Sequence, residues 1–465
     1  MFYANQKNSF YHEYGLHMSI FDKVKSFRGG VHPNEHKKLT EDHPLEQMPN
    51  PKQIILPLSQ HIGKPARSLV KKKDTVQAGS KIAEAEGFVS APIHSSVSGT
   101  VKMIQAEPNV SGKPKESIVI VSAEENEFEN FPPIDTKYIT AEEIRERVKI
   151  AGIVGQGGAA FPTFIKLTPP ENKVIDHVIL NGCECEPYLT RDYRLMLEKP
   201  FEVFSGLSLI LKALNVSTGS IGIEDNKPEA IKILQSVAID FPNISIEIVK
   251  TKYPQGAEKM LIKAVLDREV PPGKLPLDVG VVIQNIGTAV AIHEAIVDGK
   301  PLINAPLTVS GKGIKEPKNL YVPVGTPLSD VIDYCGGVTE DAVKIVVGGP
   351  MMGVAQYDIS APIMKATSGI LVLTKEEIND HEETPCLKCG KCIEACPIGL
   401  IPTKLARYSQ LEKLEEAEEL DITVCMECGT CAFTCPANIP LVQWIRLGKQ
   451  RVIKMQREKQ SAENK

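Results

Sequence analysis

The chain has 465 residues, a formal net charge of −5 at pH 7 and only 5% aromatic residues. This length predicts two to four domains, because single hydrophobic cores stop growing at about 250–300 residues. The acidic balance and the scarcity of aromatic side chains argue against a nucleic-acid partner, because nucleic-acid-binding proteins use basic surfaces and stack bases on aromatic rings.

Membrane-spanning segments are not expected. No apolar run reaches the roughly twenty residues that a spanning helix needs. The nearest, residues 279–297, contains Gln284, Asn285, His293 and Glu294. Any membrane association must therefore be indirect, through partners.

The chain contains eleven cysteines, and eight of them belong to two runs near the C-terminus. The other three, Cys183, Cys185 and Cys335, are an odd remainder. An odd number suits a reducing compartment better than a disulfide framework. We therefore expect the chain on the cytosolic side of the cell.

The N-terminal segment, residues 1–50, is predicted as a lead-in. Residues 1–17 are polar and lack the apolar core of a signal peptide, and Met18 is an equally good start. We predict that residues 1–17 are disordered or absent from the natural product. The second half of the lead-in is loop-rich, because prolines punctuate its charged residues.

Residues 51–123 are predicted as a small all-β unit. Strand-like runs bounded by glycine and proline lie at residues 53–56, 81–84, 99–104 and 117–121. Segments 74–83 and 90–101 resemble the biotinyl and lipoyl barrel-sandwich hybrid. In that family a lysine at a hairpin tip carries the cofactor, but residues 85–88 here read Ala-Glu-Gly-Phe. The resemblance therefore implies a docking module without a covalent arm.

A second domain is predicted over residues 136–300. Residues 124–135 are acidic, contain prolines and are predicted as a linker. Thr140 is followed by Glu142 and Glu143, which is typical of a helix N-cap with an acidic first turn. The domain therefore opens with a helix.

A glycine-rich segment follows, with Gly155, Gly157 and Gly158 ahead of Lys166. Glycines let backbone amides approach a phosphate or a flavin ring, and the lysine adds positive charge. The pattern is neither G-x-G-x-x-G after a strand nor a P-loop, so neither standard nucleotide motif explains it.

Four segments in order resemble the flavin- and NADH-binding subunit of respiratory complex I. They are residues 152–166, residues 181–187 with the following Arg191 and Asp192, residues 253–258 and residues 284–288. Between them, strand-like runs (174–180, 220–223 and 244–249) alternate with helix-like runs (201–214 and 228–238). This alternation favours an α/β sheet.

The resemblance implies two sets of binding residues. Those placed around FMN are Gly155, Gly157, Gly158, Lys166, Asn181, Glu184, Asn285 and Thr288. Those placed against the nicotinamide nucleotide are Phe161, Glu186, Tyr253 and Glu258. The chain departs from the family at Cys183, where the family has aspartate, and at Ala257, where it has glutamate. A role as plain buried thiols is an equal alternative for Cys183 and Cys185.

Residues 301–370 are predicted as a small α+β unit in the order strand, strand, helix, strand. The segment resembles the soluble-ligand-binding β-grasp (SLBB) domain that follows the flavin fold in the same complex I subunit. Gly336 and Gly337 indicate a helix end, and Met351 and Met352 are expected to pack rather than to bind a ligand.

Residues 375–440 contain two cysteine runs with the spacing C-x-x-C-x-x-C-x-x-x-C-P. This is the spacing of two-cluster ferredoxins, in which the fourth cysteine of each run ligates the other cluster. We therefore predict that one [4Fe–4S] cluster is bound by Cys386, Cys389, Cys392 and Cys435, and the other by Cys425, Cys428, Cys431 and Cys396. Zinc is the disfavoured alternative, because its structural sites use two C-x-x-C pairs per ion.

Two helical stretches accompany the cysteine runs. Leu405, Tyr408, Leu411 and Leu414 recur at every third residue, which predicts one amphipathic helix packed on the clusters. The tail, residues 441–465, carries seven basic and two acidic side chains. It is either a solvated helical end or a contact for anionic lipid or an acidic partner.

The expected fold class is multidomain, with α/β and α+β units: a barrel-sandwich hybrid, a flavin-subunit-like domain, a β-grasp domain and a helical two-cluster ferredoxin domain. This order resembles the RnfC family of the Rnf ion-translocating electron transport complexes, over residues 26 to about 444. The resemblance implies an oxidoreductase and translocase subunit with FMN and two [4Fe–4S] clusters, peripheral on the cytoplasmic side of the cell membrane. Its implied partners are NAD(H), a ferredoxin-like electron-carrying subunit and integral membrane subunits that move Na+ or H+.

Two other functions remain open at this point. A cobalamin reductase has similar flavin and cluster modules, but the β-grasp unit ahead of the clusters favours the Rnf family. A non-enzymatic iron–sulfur relay without a functional flavin is the second alternative, and the departures at Cys183 and Ala257 permit it.

Overall fold

The computed structural model describes residues 24–463. The predictions made for residues 1–17 therefore lie outside the described residues. Within residues 24–463 the lead-in, the barrel-sandwich unit, the α/β unit and the β-grasp unit follow one another in chain order. The last unit, residues 386–463, contains both cysteine runs and is called the thiol unit.

The barrel-sandwich unit is a pair of small antiparallel sheets. Strand β1 (Leu45–Gln47) belongs to the lead-in and is not part of this unit. The strands of the unit are β2 (Gln53–Pro57), β3 (Arg67–Ser68), β4 (Thr75–Val76), β5 (Lys81–Glu84), β6 (Ile93–His94), β7 (Gly99–Glu107) and β8 (Lys115–Ser122). One sheet has the order β2-β8-β7-β4 and the other β3-β5-β6. Ile54, Leu56, Ile118 and Ile120 are fully buried between the sheets, which holds them together by apolar burial.

The α/β unit has a parallel sheet with the order β11-β10-β9-β12. Its strands are β9 (His177–Gly182), β10 (Gly219–Glu224), β11 (Ile244–Val249) and β12 (Val281–Asn285). Its helices are α1 (Ala141–Ile150), α2 (Thr163–Lys166), α3 (Arg191–Glu198), α4 (Pro200–Leu214), α5 (Pro228–Val237), α6 (Glu258–Leu266) and α7 (Ile286–Val297). The predicted alternation of helices and strands is confirmed, and Thr140 forms the predicted capping box with Glu143.

The β-grasp unit has a six-stranded sheet with the order β1-β14-β13-β17-β15-β16. Its own elements are β13 (Asn304–Ser310), β14 (Lys318–Pro323), α8 (Leu328–Tyr334), β15 (Ala342–Val347), β16 (Val354–Gln356) and β17 (Gly369–Thr374). Gly336 and Gly337 both have positive φ and end α8 as predicted. The lead-in supplies the edge strand β1, parallel to β14, although its sequence predicts only loops.

The barrel-sandwich and β-grasp units share one hydrophobic core. Buried side chains of the first, such as Ile54 and Ile118, pack in the same cluster as Leu320 and Ile363 of the second. Backbone hydrogen bonds join the units as well, with Ile55 N donating to Gly325 O at 2.8 Å. The two segments, far apart in the chain, therefore stabilise each other.

The thiol unit is helical. It contains α9 (Lys391–Ala395), α10 (Pro402–Gln410), α11 (Leu414–Glu419), α12 (Thr430–Phe433) and α13 (Leu441–Glu463). The prediction of one helix from Leu405 through Leu414 is wrong. Glu412 has a φ of 58°, and Lys413 N donates back to Tyr408 O, so the first helix ends in a left-handed turn before α11 begins.

The lead-in runs across the other units. Lys25 pairs with Glu247 at 2.6 Å on the α/β unit, and Val31 N donates to Tyr253 O. Gly30 N donates to Ala395 O of the thiol unit at 2.9 Å. The segment therefore ties the α/β unit to the thiol unit before it adds β1 to the β-grasp sheet.

Candidate functional site

The candidate crevice lies where the order of the parallel strands reverses. Strands β9, β10 and β11 follow one another in one direction, while β12 pairs on the other side of β9. Asn181 and Asn285 are direct register partners at the carboxyl ends of β9 and β12. In open α/β sheets, ligands bind outside the carboxyl ends of the strands at such a switch point. Two of the residues predicted around FMN therefore lie at the position that the topology favours.

Both asparagine side chains are fixed by hydrogen bonds. Asn181 Nδ2 donates to Gly256 O at 2.7 Å, and Asn285 Nδ2 donates to Asp192 Oδ2 at 2.7 Å. Asn285 also caps α7, because its Oδ1 accepts from Gly287 N at 2.8 Å. These hydrogen bonds restrict the rotation of both side chains, which form the bottom of the candidate crevice.

The glycine segment covers this end of the sheet. A Cβ at Gly157 would lie 2.9 Å from the Asn285 side chain, whereas a Cβ at Gly158 would have no atom within 4 Å. Gly155 N donates to Phe161 O at 2.9 Å, which closes the loop on itself. Thr288 Oγ1 accepts from Gln156 N at 3.1 Å and holds the loop against α7. The loop is therefore anchored beside Asn285 and open at Gly158.

Lys166 and Glu258 form an ion pair. Lys166 Nζ lies 2.6 Å from Glu258 Oε1 and also donates to Ile283 O at 3.0 Å. The sequence resemblance places the lysine at FMN and the glutamate at the nicotinamide nucleotide. The two predicted sets therefore meet at this pair.

Glu184 has a structural partner within the unit. Its carboxylate accepts from Asp192 N at 2.7 Å and from Tyr193 N at 3.2 Å, at the first turn of α3. Burial raises the pKa of Glu184, and the nearby Lys37 opposes that rise. Glu184 therefore caps a helix at the edge of the crevice, and its role at FMN stays a prediction.

Several buried polar atoms around the crevice have no hydrogen-bond partner. They are Gln156 Oε1, Thr163 Oγ1, Asp192 Oδ1, Gln284 Nε2 and both polar side-chain atoms of Gln255. Buried polar atoms are nearly always paired in native proteins, so these atoms are available to water or to a bound cofactor. Together with the open space at Gly158, these atoms fit a polar, planar cofactor such as FMN.

Glu186 and Tyr253, predicted at the nicotinamide, contact other parts of the chain. Glu186 accepts from Met351 N at 3.0 Å and Met352 N at 2.9 Å, and burial raises its pKa to about 7. Tyr253 is 1% exposed, and its hydroxyl donates to Cys428 O at 2.8 Å. Phe161 is half-buried beside the glycine loop. The roles of these three residues at the nucleotide stay predictions.

The two cysteine runs adopt the same local backbone geometry. Lys388 and Glu427 have φ of 54° and 60°, and the glycines two residues later, Gly390 and Gly429, have φ of 80° and 82°. A short helix follows each glycine, α9 in the first run and α12 in the second. The runs are therefore duplicate loops that turn their cysteines in the same way.

The neighbours of two buried thiols, Cys431 and Cys392, agree with the crossed assignment. Burial raises the pKa of Cys431 to about 12, and the adjacent thiols that add to this rise are Cys428, Cys425 and Cys396. Burial likewise raises the pKa of Cys392, with added contributions from Cys435 and Cys389, which belong to the same predicted set as Cys392. Cys396 and Cys435 thus each lie with the opposite run, while the ligand sets themselves stay predictions.

The environment of the sulfur atoms fits thiolate ligands. Backbone amides donate to Cys386 Sγ and Cys425 Sγ at 3.4 Å and to Cys396 Sγ at 3.3 Å. Within residues 24–463 no three His, Cys, Asp or Glu side chains converge closely enough to hold a single metal ion.

Each predicted group of four cysteine ligands is called a thiol set, and one of the two sets lies against the α/β unit. Tyr253, Val31, Ala395 and Cys428 pack in one buried cluster, which Cys185, Met351 and Met426 join from its edge. A Cβ at Gly29 would lie 2.9 Å from Cys396 O, so the lead-in also passes close to this set. The set with Cys425, Cys428, Cys431 and Cys396 therefore faces the α/β unit.

Sequence reasoning missed two buried cations that position the crevice loops. Arg191 donates to Gln156 O, to Pro306 O at 2.8 Å and to Thr367 O at 3.3 Å. Lys37 donates to the carbonyls of Glu184, Glu186 and Leu189 at 2.8, 3.2 and 2.7 Å. For Arg191 the only indication in the sequence was its place in a segment that resembles the complex I subunit. For Lys37 there was no indication in the sequence, because its partners are remote in the chain. Cys183 is fully buried among apolar side chains, as a plain thiol would be.

Comparisons with known proteins identify the same kinds of domain. Family profiles match as follows: "RnfC Barrel sandwich hybrid domain" at residues 25–125, "Nuo51 FMN-binding domain" at 148–294, "SLBB domain" at 306–355 and "4Fe-4S dicluster domain" at 385–439. The expected fold class is thereby confirmed.

Full-length relatives are also similar. A component of the proton-translocating ferredoxin:NAD(+) oxidoreductase complex from Clostridium ljungdahlii is 49% identical over 91% of this chain and 93% of its own. The equivalent component of the Na(+)-translocating complex from Acetobacterium woodii is 45% identical over 94% of this chain and 99% of its own. A solved NAD+-reducing [NiFe]-hydrogenase chain is similar with a TM-score of 0.49 and 18% identity, covering 66% of this chain and 60% of its own.

Proposed function

Because the chain belongs to the RnfC family of ion-translocating ferredoxin:NAD(+) oxidoreductase complexes, we propose that it passes electrons between NAD(H) and the other subunits of such a complex. Its cofactors in this role are FMN and two [4Fe–4S] clusters. The reaction is an oxidation–reduction, with ion transport carried out elsewhere in the complex.

The two cofactor types divide the chemistry. A bound FMN would supply the conversion between two-electron hydride transfer and the one-electron chemistry of an iron–sulfur centre. The chain's own part is to bind and orient. Asn181 and Asn285 define the floor of the flavin site, the glycine loop covers it, and the Lys166–Glu258 pair lies at its side.

The observation that carries the proposal is the hydrogen bond from Tyr253 to Cys428 O. Tyr253 lies in the loop after β11, at the same sheet edge as the crevice. Cys428 belongs to a predicted cluster ligand set. A single buried side chain therefore joins the two predicted cofactor sites. Such proximity supports direct electron transfer rather than a relay that lacks a flavin.

The partners and the membrane location are further parts of the proposal. They rest on the names of the relatives, which describe subunits of ion-translocating complexes. The proposed partners are NAD(H), a ferredoxin-like electron-carrying subunit and integral membrane subunits, with this chain peripheral on the cytoplasmic side. Across residues 24–463, every helix is too short or too polar to span a bilayer.

Anaerobic purification followed by an NADH titration tests the proposed function. We expect about one FMN per chain, eight iron atoms, and bleaching of both flavin and cluster absorbance by NADH. Protein that contains iron and sulfide but no flavin, and that NADH does not bleach, would reduce the chain to an iron–sulfur relay. Zinc in place of iron would contradict the cluster assignment as well.

A further inference from the structure

Residues 25–37 of the lead-in, which we call the strap, cross the junction between the α/β unit and the thiol unit. Val31 and Tyr253 exchange a pair of backbone hydrogen bonds, both at 2.8 Å. Gly30 N donates to Ala395 O at 2.9 Å, one residue before the predicted ligand Cys396. The strap is therefore bonded to the α/β unit on one side and to the first cysteine run on the other.

Two glycines of the strap lie where a side chain has no room. Gly29 and Gly30 both have positive φ, 79° and 81°. A Cβ at Gly29 would lie 2.9 Å from Cys396 O, and a Cβ at Gly30 would lie 2.7 Å from Tyr253 O. Because both obstructing atoms belong to the backbone, a side chain at either position would have to push the cysteine run or the Tyr253 loop away.

The thiol unit shares no large core with the units before it. The buried side chains of its own core all lie within residues 392–452. Residues 379–385, which lead into the unit, are exposed and contain no helix or strand. Its buried contact with the α/β unit is a small cluster of four buried side chains: Val31, Tyr253, Ala395 and Cys428. Its position relative to the α/β unit therefore depends on the junction that the strap crosses.

The other end of the strap holds the loop that follows β9 at the edge of the candidate crevice. Lys37 Nζ donates to three backbone carbonyls within residues 184–189. Tyr188 N donates to Glu35 O at 2.7 Å, and the Tyr188 ring stacks on His36 at 4.5 Å between centroids. One short segment thus contacts both the crevice loop and a predicted cluster ligand.

We infer that Gly29 and Gly30 are positioning residues that set the separation between the candidate crevice and the thiol set containing Cys396 and Cys428. The inference rests on the proposed function and adds to it what controls the transfer of electrons inside the chain. One electron passes at a time, so that one site is oxidised as the other is reduced, and no covalent bond changes. Such transfer slows steeply as the gap between two centres widens. Glycines at the junction allow an approach that any side chain would prevent.

Gly29→Ala and Gly30→Ala test the inference, and Gly399→Ala is the matched control. Gly399 lies in the thiol unit and has a φ of 73°, but a Cβ there would have no atom within 4 Å. Alanine at each of the three positions meets the same backbone strain of a positive φ. A difference between the first two variants and the control therefore reports the close approach and not the strain.

We expect the two strap variants to slow one step and to leave the other unchanged. In stopped-flow mixing with NADH, the flavin should be reduced at the wild-type rate, while bleaching of the cluster absorbance that follows should be at least fivefold slower. Hydrogen exchange at the amides of Val31 and Tyr253 should become at least tenfold faster, because their mutual hydrogen bonds open as the junction widens. Gly399→Ala should match the wild type in both measurements.

Gly30→Ala keeps the test decisive if Gly29→Ala fails to load its clusters, because a Cβ at Gly30 meets the Tyr253 loop and not a predicted ligand. A wild-type rate of cluster bleaching in loaded Gly30→Ala would overturn the inference, and so would equal slowing in Gly399→Ala. Slower bleaching with unchanged hydrogen exchange would also overturn it, since the junction would not have moved. Loss of the clusters from both strap variants would mean that the glycines serve folding and not spacing.

The two proposals fail in different ways. If the wild-type chain lacks flavin or is not bleached by NADH, the proposed function fails before the variants are compared. If the wild type is bleached as proposed and the strap variants match it, only the role of the two glycines is wrong.

Discussion

Glycines around the crevice differ in what an added side chain would meet. Gly157 has no room, because a Cβ would lie 2.9 Å from Asn285, while Gly158 faces open space. Neither position needs a positive φ, so a side chain at Gly158 would not strain the backbone. The space at Gly158 is therefore available to a ligand rather than to the protein.

We predict that Gly158→Val folds normally and binds FMN at least tenfold more weakly. The valine meets no protein atom within 4 Å of its Cβ, so the thermal midpoint of the flavin-free protein should stay within a few degrees of the wild type. Flavin affinity is measured by fluorescence quenching. Full FMN occupancy in the variant would place the flavin elsewhere.

A buried histidine and a buried lysine lie together where three units meet. Lys365 Nζ donates to Pro92 O at 2.9 Å and to Gly152 O at 2.7 Å, and thus joins the β-grasp, barrel-sandwich and α/β units. Burial lowers the pKa of Lys365 to about 7. Burial, followed by the charges of Lys365 and Lys81, lowers the pKa of His94 to about 3, and both of its ring nitrogens are unpaired.

His94 should therefore make the fold sensitive to acid. Between pH 6.5 and about 3 the unfolded chain binds a proton at this ring that the folded chain does not, so stability falls as pH falls through that window. Above pH 6.5 the ring is neutral in both states and contributes no pH dependence. The environment of the ring also includes the edge of Phe131, at 6.0 Å between centroids.

We predict that His94→Leu removes part of this acid sensitivity. The free energies of unfolding of wild type and variant should differ little in their pH dependence near pH 7. Towards pH 4 the variant should become the more stable of the two, by up to about 3 kcal/mol. Urea titrations across this pH range measure the difference. Parallel pH profiles for the two proteins would show that the folded ring takes up its proton as the unfolded ring does, and would contradict the lowered pKa.

The long helix α13 depends on a close approach to α10. A Cβ at Gly448 would overlap Ser409 Oγ and would lie 2.7 Å from Ser409 Cβ. Ser409 is buried, and its hydroxyl donates a hydrogen bond to Leu405 O at 2.8 Å. The basic residues of α13 are also partly used internally, since Arg446 and Arg451 pair with Glu427 and Glu412. The predicted contact of this tail with lipid or an acidic partner thus has fewer free charges than its composition indicates.

We predict that Gly448→Ala destabilises the thiol unit even though alanine is the better helix former. Alanine should add about 1 kcal/mol of helix propensity, but overpacking against Ser409 should cost about 1–3 kcal/mol. Ser409→Gly in the same chain should restore part of the loss, as contacting residues do in a double-mutant cycle. Thermal loss of iron–sulfur absorbance measures each variant. A more stable Gly448→Ala protein would mean that the helices are farther apart.

The two thiol sets differ in how much of the rest of the molecule surrounds them. Lead-in, α/β unit and β-grasp loop all converge on the set that contains Cys428 and Cys396, through Gly30, Tyr253 and Met351. The set with Cys386 and Cys389 stays at the surface. The molecule therefore has an inner and an outer thiol set, and the inner one lies next to the candidate crevice.

We predict opposite effects for the pseudo-equivalent variants Cys389→Ser and Cys428→Ser. Each should lose one cluster and keep the other reducible by dithionite. In Cys389→Ser, NADH should still reduce the remaining inner cluster, whereas in Cys428→Ser it should fail to reduce the remaining outer cluster at a comparable rate. Paramagnetic resonance distinguishes the clusters. Equal loss of both signals in folded protein would contradict separate ligand sets.

Local patterns in the sequence determined much of this protein. Three features depend only on residues that are close together in the chain: the cysteine spacing, the Thr140 capping box and the alternation of β9 to β12 with their helices. They can therefore be predicted without knowing which remote residues contact them. The break after Gln410 was missed because a three-residue period alone does not show that Glu412 adopts a left-handed turn.

Only the tertiary structure decided which groups meet. Glu186 binds the Met351 loop, Tyr253 binds Cys428 O, Lys37 holds the crevice loop, and the barrel-sandwich and β-grasp units share a core. It also decided that Met426 is covered and Leu387 is not, although their local sequences are alike. The physical reason is that burial and hydrogen-bond pairing depend on residues hundreds of positions apart, whereas spacing and turn chemistry are local.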